Sequence, residues 1–247
     1  MSLGSHLKEL RKRLAWSGLF VILGMIGGWF LYEPVYAELK RPVDEVAAKH
    51  GVTATLNFPS VMGAFDLHLQ VSLFLGVLIS SPIWLYNIWA FITPALRRRE
   101  RRYTVAFLLS ATPLFASGVW LAWQSYPNFV DVLLSMAPPG STNIINAADY
   151  LLFALRLFVL FGVSFVTPVV LVLLNLAELI TAKNIFGSWR LAVFLIAVVA
   201  AVATPTADPM SMFVLMVPLG VLYFSAGAVA LLIDRRRSKR ALSTQES

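Results

Sequence analysis

Six long stretches of this chain are almost free of charged side chains, and no other property restricts its fold as strongly. They fall at 15–32, 67–92, 103–123, 150–176, 191–207 and 210–233, with Arg156 as the one Lys or Arg inside them. About twenty apolar residues in a helix cross the hydrocarbon of a bilayer, near 30 Å thick. Composition agrees: 58% of the residues are hydrophobic and only 13% charged, where a soluble domain carries about a quarter charged. The predicted class is therefore an all-α, polytopic integral membrane protein with six transmembrane helices. The first stretch lacks a small-residue cleavage site and reads as a retained helix rather than a removed signal peptide. The last two helices are expected to be short, the fifth above all, because 191–203 covers roughly 20 Å.

An even number of spans puts both termini on one side, and the positive charges say which. Segments 1–14, 93–102, 177–190 and the tail after Asp234 hold Lys8, Arg11, Lys12, Arg13, Arg97 to Arg99, Arg101, Arg102, Lys183, Arg190 and five more basic residues. The opposite segments hold only Lys40, Arg41 and Lys49. Basic residues stay on the cytoplasmic side, so both termini are expected there. The reading is one transmembrane domain, 1–233, with an amphipathic leader at 1–14. Its outer loops are 33–66, 124–149 and 204–209, its inner loops 93–102 and 177–190. The basic tail 234–247 is expected to be disordered. The basic runs are explained by orientation, and no nucleic-acid partner is predicted.

No constellation in the chain offers catalysis. Cysteine is absent, the three histidines are far apart, and no HExxH, GxSxG or GxxxxGK[ST] pattern occurs. No cofactor and no metal are expected, and the chain is not read as an enzyme. Prolines within or beside the spans, at Pro82, Pro94, Pro113, Pro168 and Pro218, remove backbone donors and predict kinked helices. Gly24 and Gly28 form a GxxxG pair in the first span, a pattern that serves helix–helix contact.

The polar residues that stand out lie near the cytoplasmic surface. In the leader, Leu7, Leu10 and Leu14 share one helical face, and Glu9 lies among Lys8, Arg11, Lys12 and Arg13. Glu9 can pair with Lys12 or Arg13 one turn away. Glu100 is likewise a single carboxylate in the basic run PALRRRERRY.

Five segments in succession carry a resemblance: HLKELRKRL (6–14), SSPIWLYNIWAFITPAL (80–96), ERR (100–102), FGVSFVTPVVLVLLN (161–175) and ATPTADP (203–209). In this order the chain resembles the TatC family, the six-span receptor subunit of the twin-arginine protein translocase. The resemblance implies that Glu9 and Glu100 read paired arginines of a signal peptide, with Leu10, Arg11, Arg101 and Arg102 in support. A carboxylate suits that task because a guanidinium presents it with a planar fork of donors, which lysine cannot do. Pro82, Tyr86, Trp89, Phe91, Pro94, Pro168 and Pro205 match as shape-giving positions. The implied partners are twin-arginine signal peptides of folded cargo proteins, small single-span subunits of the TatA/TatB type, the bilayer and further copies of the chain. Transport would draw on the proton-motive force.

Three positions depart from the family pattern. Val166, beside Thr167, stands where many members carry Glu or Gln, Gln70 where a basic residue is common, and Asp208 is one residue further from Thr204 and Pro205. These residues and Arg156 are the candidates for a partner interface or intramembrane polar site. Arg156 has two readings, snorkelling to headgroups or pairing with Asp149 or Asp131. The rival function is a secondary transporter of a small solute, which wants a polar cluster at mid-membrane.

Overall fold

The computed structural model describes residues 3–50, 53–92, 101–135, 142–203 and 209–245. These form helices α1 (Leu3–Phe30), α2 (Tyr32–His50), α3 (Gly63–Ile79), α4 (Ser81–Ile92), α5 (Arg101–Ser135), α6 (Ala147–Leu176), α7 (Ala182–Gly187), α8 (Trp189–Ala203) and α9 (Pro209–Gln245). Strands β1 (Thr53–Asn57) and β2 (Thr142–Asn146) complete the set. Within the described residues, each apolar stretch of the sequence falls on helix, 67–92 on the bent pair α3–α4. By length and mean hydropathy α1, α6 and α9 can each cross a membrane, and α3 with α4, bent by 61°, is apolar enough for a fourth crossing when the pair is taken as one span. The 15 residues of α8 reach only about 22 Å.

The chain forms two compact units, Met1–Pro94 with Val119–Leu160, and Ala95–Gly118 with Phe161–Ser247. In the first, the leader and first span are a single 28-residue helix, α1, rather than a leader followed by a span. Leu3, Leu7, Leu10 and Leu14 keep helical spacing up to the span and no proline occurs before Pro34, so nothing in the sequence stops the helix. Gly24 and Gly28 settle against α3: a Cβ on Gly24 would stand 2.8 Å from the Gly76 carbonyl oxygen, and one on Gly28 2.7 Å from that of Ser72. The GxxxG face is thus occupied within the chain.

The bend between α3 and α4 has an identifiable cause. Pro82 has no N–H to continue the ladder, and the chain turns through Ser80, whose N–H donates to the Gly76 carbonyl at 3.0 Å. The Trp84 indole N–H donates to the Val77 carbonyl at 2.8 Å, supplying a donor where the ladder is broken. Trp84→Phe removes that donor and is expected to lower the melting midpoint of the full chain in detergent by about 2–4 °C, the equivalent of one hydrogen bond.

Two segments read as loops, 33–66 and 124–149, hold structure. Helix α2 buries Leu39, Val43, Val46 and Ala47, a helical spacing that the loop reading passed over. Its last turn is tied to α5 by Lys49, whose ammonium lies 3.2 Å from Asp131. Strands β1 and β2 pair in parallel, Thr53 opposite Thr142 through Asn57 opposite Asn146. The His68 ring lies between Trp29 and Tyr32, 3.9 Å from each ring centre, joining α1, α2 and α3.

In the second unit α6 ends in a Schellman turn. Glu178 takes φ 62°, Leu179 N–H donates to Leu174 O, and Glu178 N–H to Asn175 O. Asp234 then pins the next element, accepting from Asn175 Nδ2 at 2.9 Å and from Ala182 N–H at 2.8 Å. Arg237 donates to the last carbonyls of the helix, those of Asn175 and Leu176, at 3.1 and 2.7 Å. The tail expected to be disordered is helical instead: α9 continues through Gln245. Asp234 and Arg237, three residues apart on one helix, hold that extension to the end of α6.

Candidate functional site

Glu9 lies in the second turn of α1, among the four basic residues of the leader. Of its two possible partners, Arg13 takes it: Nη2 donates to Oε1 at 2.6 Å and Nε to the same oxygen at 3.1 Å. The side chains are only 24% (Arg13) and 32% (Glu9) exposed, so the pair is less solvated than an ordinary surface ion pair. Both donated bonds reach Oε1. Arg11 and Lys12 are exposed, as are Leu7 and Leu14, while Leu10 is half-buried. The leader therefore offers a carboxylate that already accepts a guanidinium, flanked by free cations and an apolar edge.

Glu100 and Pro94 lie outside the described residues, as do Pro205 and Asp208; of Arg101 and Arg102 only the backbone, opening α5, is described. The shape-giving positions divide. Pro82 makes the bend, Trp89 is buried at 1% exposure, Phe91 is half-buried and Tyr86 exposed. Asn87, which the sequence reading did not single out, donates through Nδ2 to Ser17 Oγ at 3.0 Å and ties α4 to α1. Its neighbours 86 and 89 carried the signal; a lone Asn in an apolar helix was the cue to a partner.

The remaining candidates do not gather into one site. Gln70 donates to Asp66 at 2.6 Å in the first turns of α3. Val166 is 4% exposed, a core residue, so no incoming partner reaches its side chain here. Thr167, next to Pro168, donates to the Val163 carbonyl at 3.3 Å. Arg156 is exposed, and Asp131, one of its expected partners, is held by Lys49. In the first unit a cavity of about 200 Å³ is lined by Glu38, Arg41, Glu45, Trp123 and Tyr126. Its cation is spoken for: Arg41 Nε donates to Glu45 at 2.7 Å, a bond that raises the guanidinium pKa further.

The profile of the family described as Sec-independent protein translocase protein (TatC) matches residues 5–218. The chain belongs to the TatC family. A Sec-independent protein translocase protein TatC of Xylanimonas cellulosilytica is 44% identical over 97% of this chain and 87% of its own length. One from Rothia mucilaginosa is 38% identical over 97% of this chain and 82% of its own length. A crystal structure of the twin arginine translocase receptor TatC superposes with a TM-score of 0.79 at 27% identity, covering 92% of this chain and 98% of that one. The protein is thus a TatC-family component of the Sec-independent translocase, a multi-pass membrane protein of the transport class rather than an enzyme. Membership displaces the solute-transporter reading.

Proposed function

We propose that this TatC-family chain receives twin-arginine signal peptides at the cytoplasmic surface and serves as the scaffold of the translocase. Glu9 carries the reading. Its carboxylate, half-buried on α1, already accepts a guanidinium, that of Arg13, and an incoming arginine would compete for the same acceptor. The second arginine of the doublet goes to Glu100, in the segment before α5. Leu10 and the exposed Arg11 shape the approach, and the surrounding positive charge disfavours stray basic segments that lack a matched fork. In this reading six spans place both termini in the cytoplasm and folded cargo crosses at the expense of the proton-motive force. Single-span subunits of the TatA/TatB type, and further copies of the chain, assemble against the frame.

The test is binding of a twin-arginine signal peptide to the full-length protein in nanodiscs. Two lysines in place of the arginines, or Glu9→Gln or Glu100→Gln in the receptor, are expected to weaken binding about tenfold or more, the worth of a charge-assisted hydrogen bond. Equal affinity for the lysine peptide overturns the guanidinium reading. Undiminished binding by either variant removes that residue from the site.

A further inference from the structure

Along residues 147–160, the part of α6 that belongs to the first unit, every side chain is buried or half-buried except two, Asp149 and Arg156. They carry opposite charges. Seven residues apart, they lie on one face of the helix, about 10 Å from each other along its axis. No ion pair joins them, and neither has a hydrogen bond to another described residue.

Their depth follows from the rings around them. Phe158 packs on Trp123 at 5.6 Å and on Tyr126 at 5.9 Å, and Tyr126 meets Tyr150 at 5.8 Å. Of these rings Trp123 is exposed, and it packs on the Arg156 end of the stretch; Trp is a side chain that collects where hydrocarbon gives way to headgroups. Helical side chains lean toward the amino terminus, so the guanidinium leans toward Asp149 and toward that boundary.

We infer that this stripe binds a phospholipid with a phosphoethanolamine headgroup, its phosphate on Arg156 and its ammonium on Asp149. The order of charges decides the occupant. In such a lipid the phosphate stands next to the acyl chains and the ammonium further out, as the cation and the carboxylate stand on α6. Arginine takes a phosphate bidentately. A headgroup without an amine leaves Asp149 unmatched against a phosphate. A choline headgroup offers the carboxylate no N–H. A partner helix bearing a single carboxylate would use Arg156 and leave Asp149 idle. The inference stands apart from the signal-peptide reading.

The experiment titrates the delipidated full-length protein in detergent with short-chain phosphatidylethanolamine, phosphatidylglycerol and phosphatidylcholine, reading bound lipid by native mass spectrometry. Phosphatidylethanolamine is expected to bind best. Arg156→Gln should weaken it roughly fivefold or more, Arg156→Lys by less, and Asp149→Asn should erase its advantage over phosphatidylcholine. Asp149→Asn and Arg156→Lys carry the test should Arg156→Gln fail to fold. Equal affinity of the wild type for the ethanolamine and choline lipids overturns the proposal. So does unchanged ethanolamine-lipid binding in the variants, or an Arg156→Gln protein that keeps its lipid but loses a co-purifying single-span subunit.

Discussion

Gly76→Ala is expected to lower the melting midpoint of the full chain in detergent by roughly 2–12 °C. The added methyl has nowhere to go: a Cβ at Gly76 would stand 2.6 Å from both the Met25 nitrogen and the Val21 carbonyl oxygen, and 3.0 Å from Met25 Cα. These are backbone atoms of α1, so relief requires the helices to part, and overpacking of this kind costs about 1–3 kcal/mol. Gly24→Ala meets the same contact from the other side, 2.8 Å from the Gly76 oxygen, and is expected to cost a similar amount without adding fully to the first. Gly27, with nothing within 4 Å, supplies the control. Its alanine variant should melt at or slightly above the wild type, since glycine is the poorer helix former. Equal melting of Gly76→Ala and Gly27→Ala would mean that α1 and α3 do not meet as described.

The second large effect is expected at Asp234. Its two oxygens hold two donors, Asn175 Nδ2 and the Ala182 N–H, both on buried residues. Asp234→Ala strands the Ala182 donor and half of the Asn175 amide, which keeps its 3.0 Å bond to the Ile180 carbonyl. About 2–4 kcal/mol of stability should go with it, from the desolvation cost of unpaired buried donors. The loss should be local to the second unit, so limited proteolysis between residues 177 and 188 reads it directly. Asp234→Asn keeps one acceptor and turns an N–H toward the other site, so it should fall between wild type and alanine. A protease pattern unchanged in Asp234→Ala would show that the loop does not depend on this carboxylate.

Both effects rest on residues that a linear reading undervalues. Asp234 reads as the single acid at the head of a basic tail, and Gly76 as one small residue in an apolar run. What made them decisive was the approach of another segment, 52 positions away for Asp234 and Ala182. The apolar helices, by contrast, were legible at once. Each came from a run of residues whose transfer from water decides its environment whatever its neighbours are. The proline break was legible too, since Pro82 lacks a donor in any fold, though the 61° bend and the indole that serves it were not.

Segments 33–66 and 124–149 show the opposite case. Their polar, Pro- and Gly-containing stretches read as loops, yet α2 carries its own apolar stripe at Leu39, Val43 and Val46. The parallel pairing of β1 with β2 joins segments about ninety residues apart, and no local pattern announces such a partner. The basic tail became helix because Asp234 and Arg237 bind the end of α6, a contact that composition alone cannot foresee.

From the residues alone came the membrane environment, the places of the apolar helices and the acidic residues set in basic surroundings, because hydropathy and charge act locally and sum along the chain. Tertiary structure alone decided which cation Glu9 accepts, that Val166 is core, that the paired glycines face α3, and that Asp149 and Arg156 are left bare on one line of α6. Those outcomes depend on which backbones come within a few ångströms of each other, and distance in space is not written in distance along a sequence.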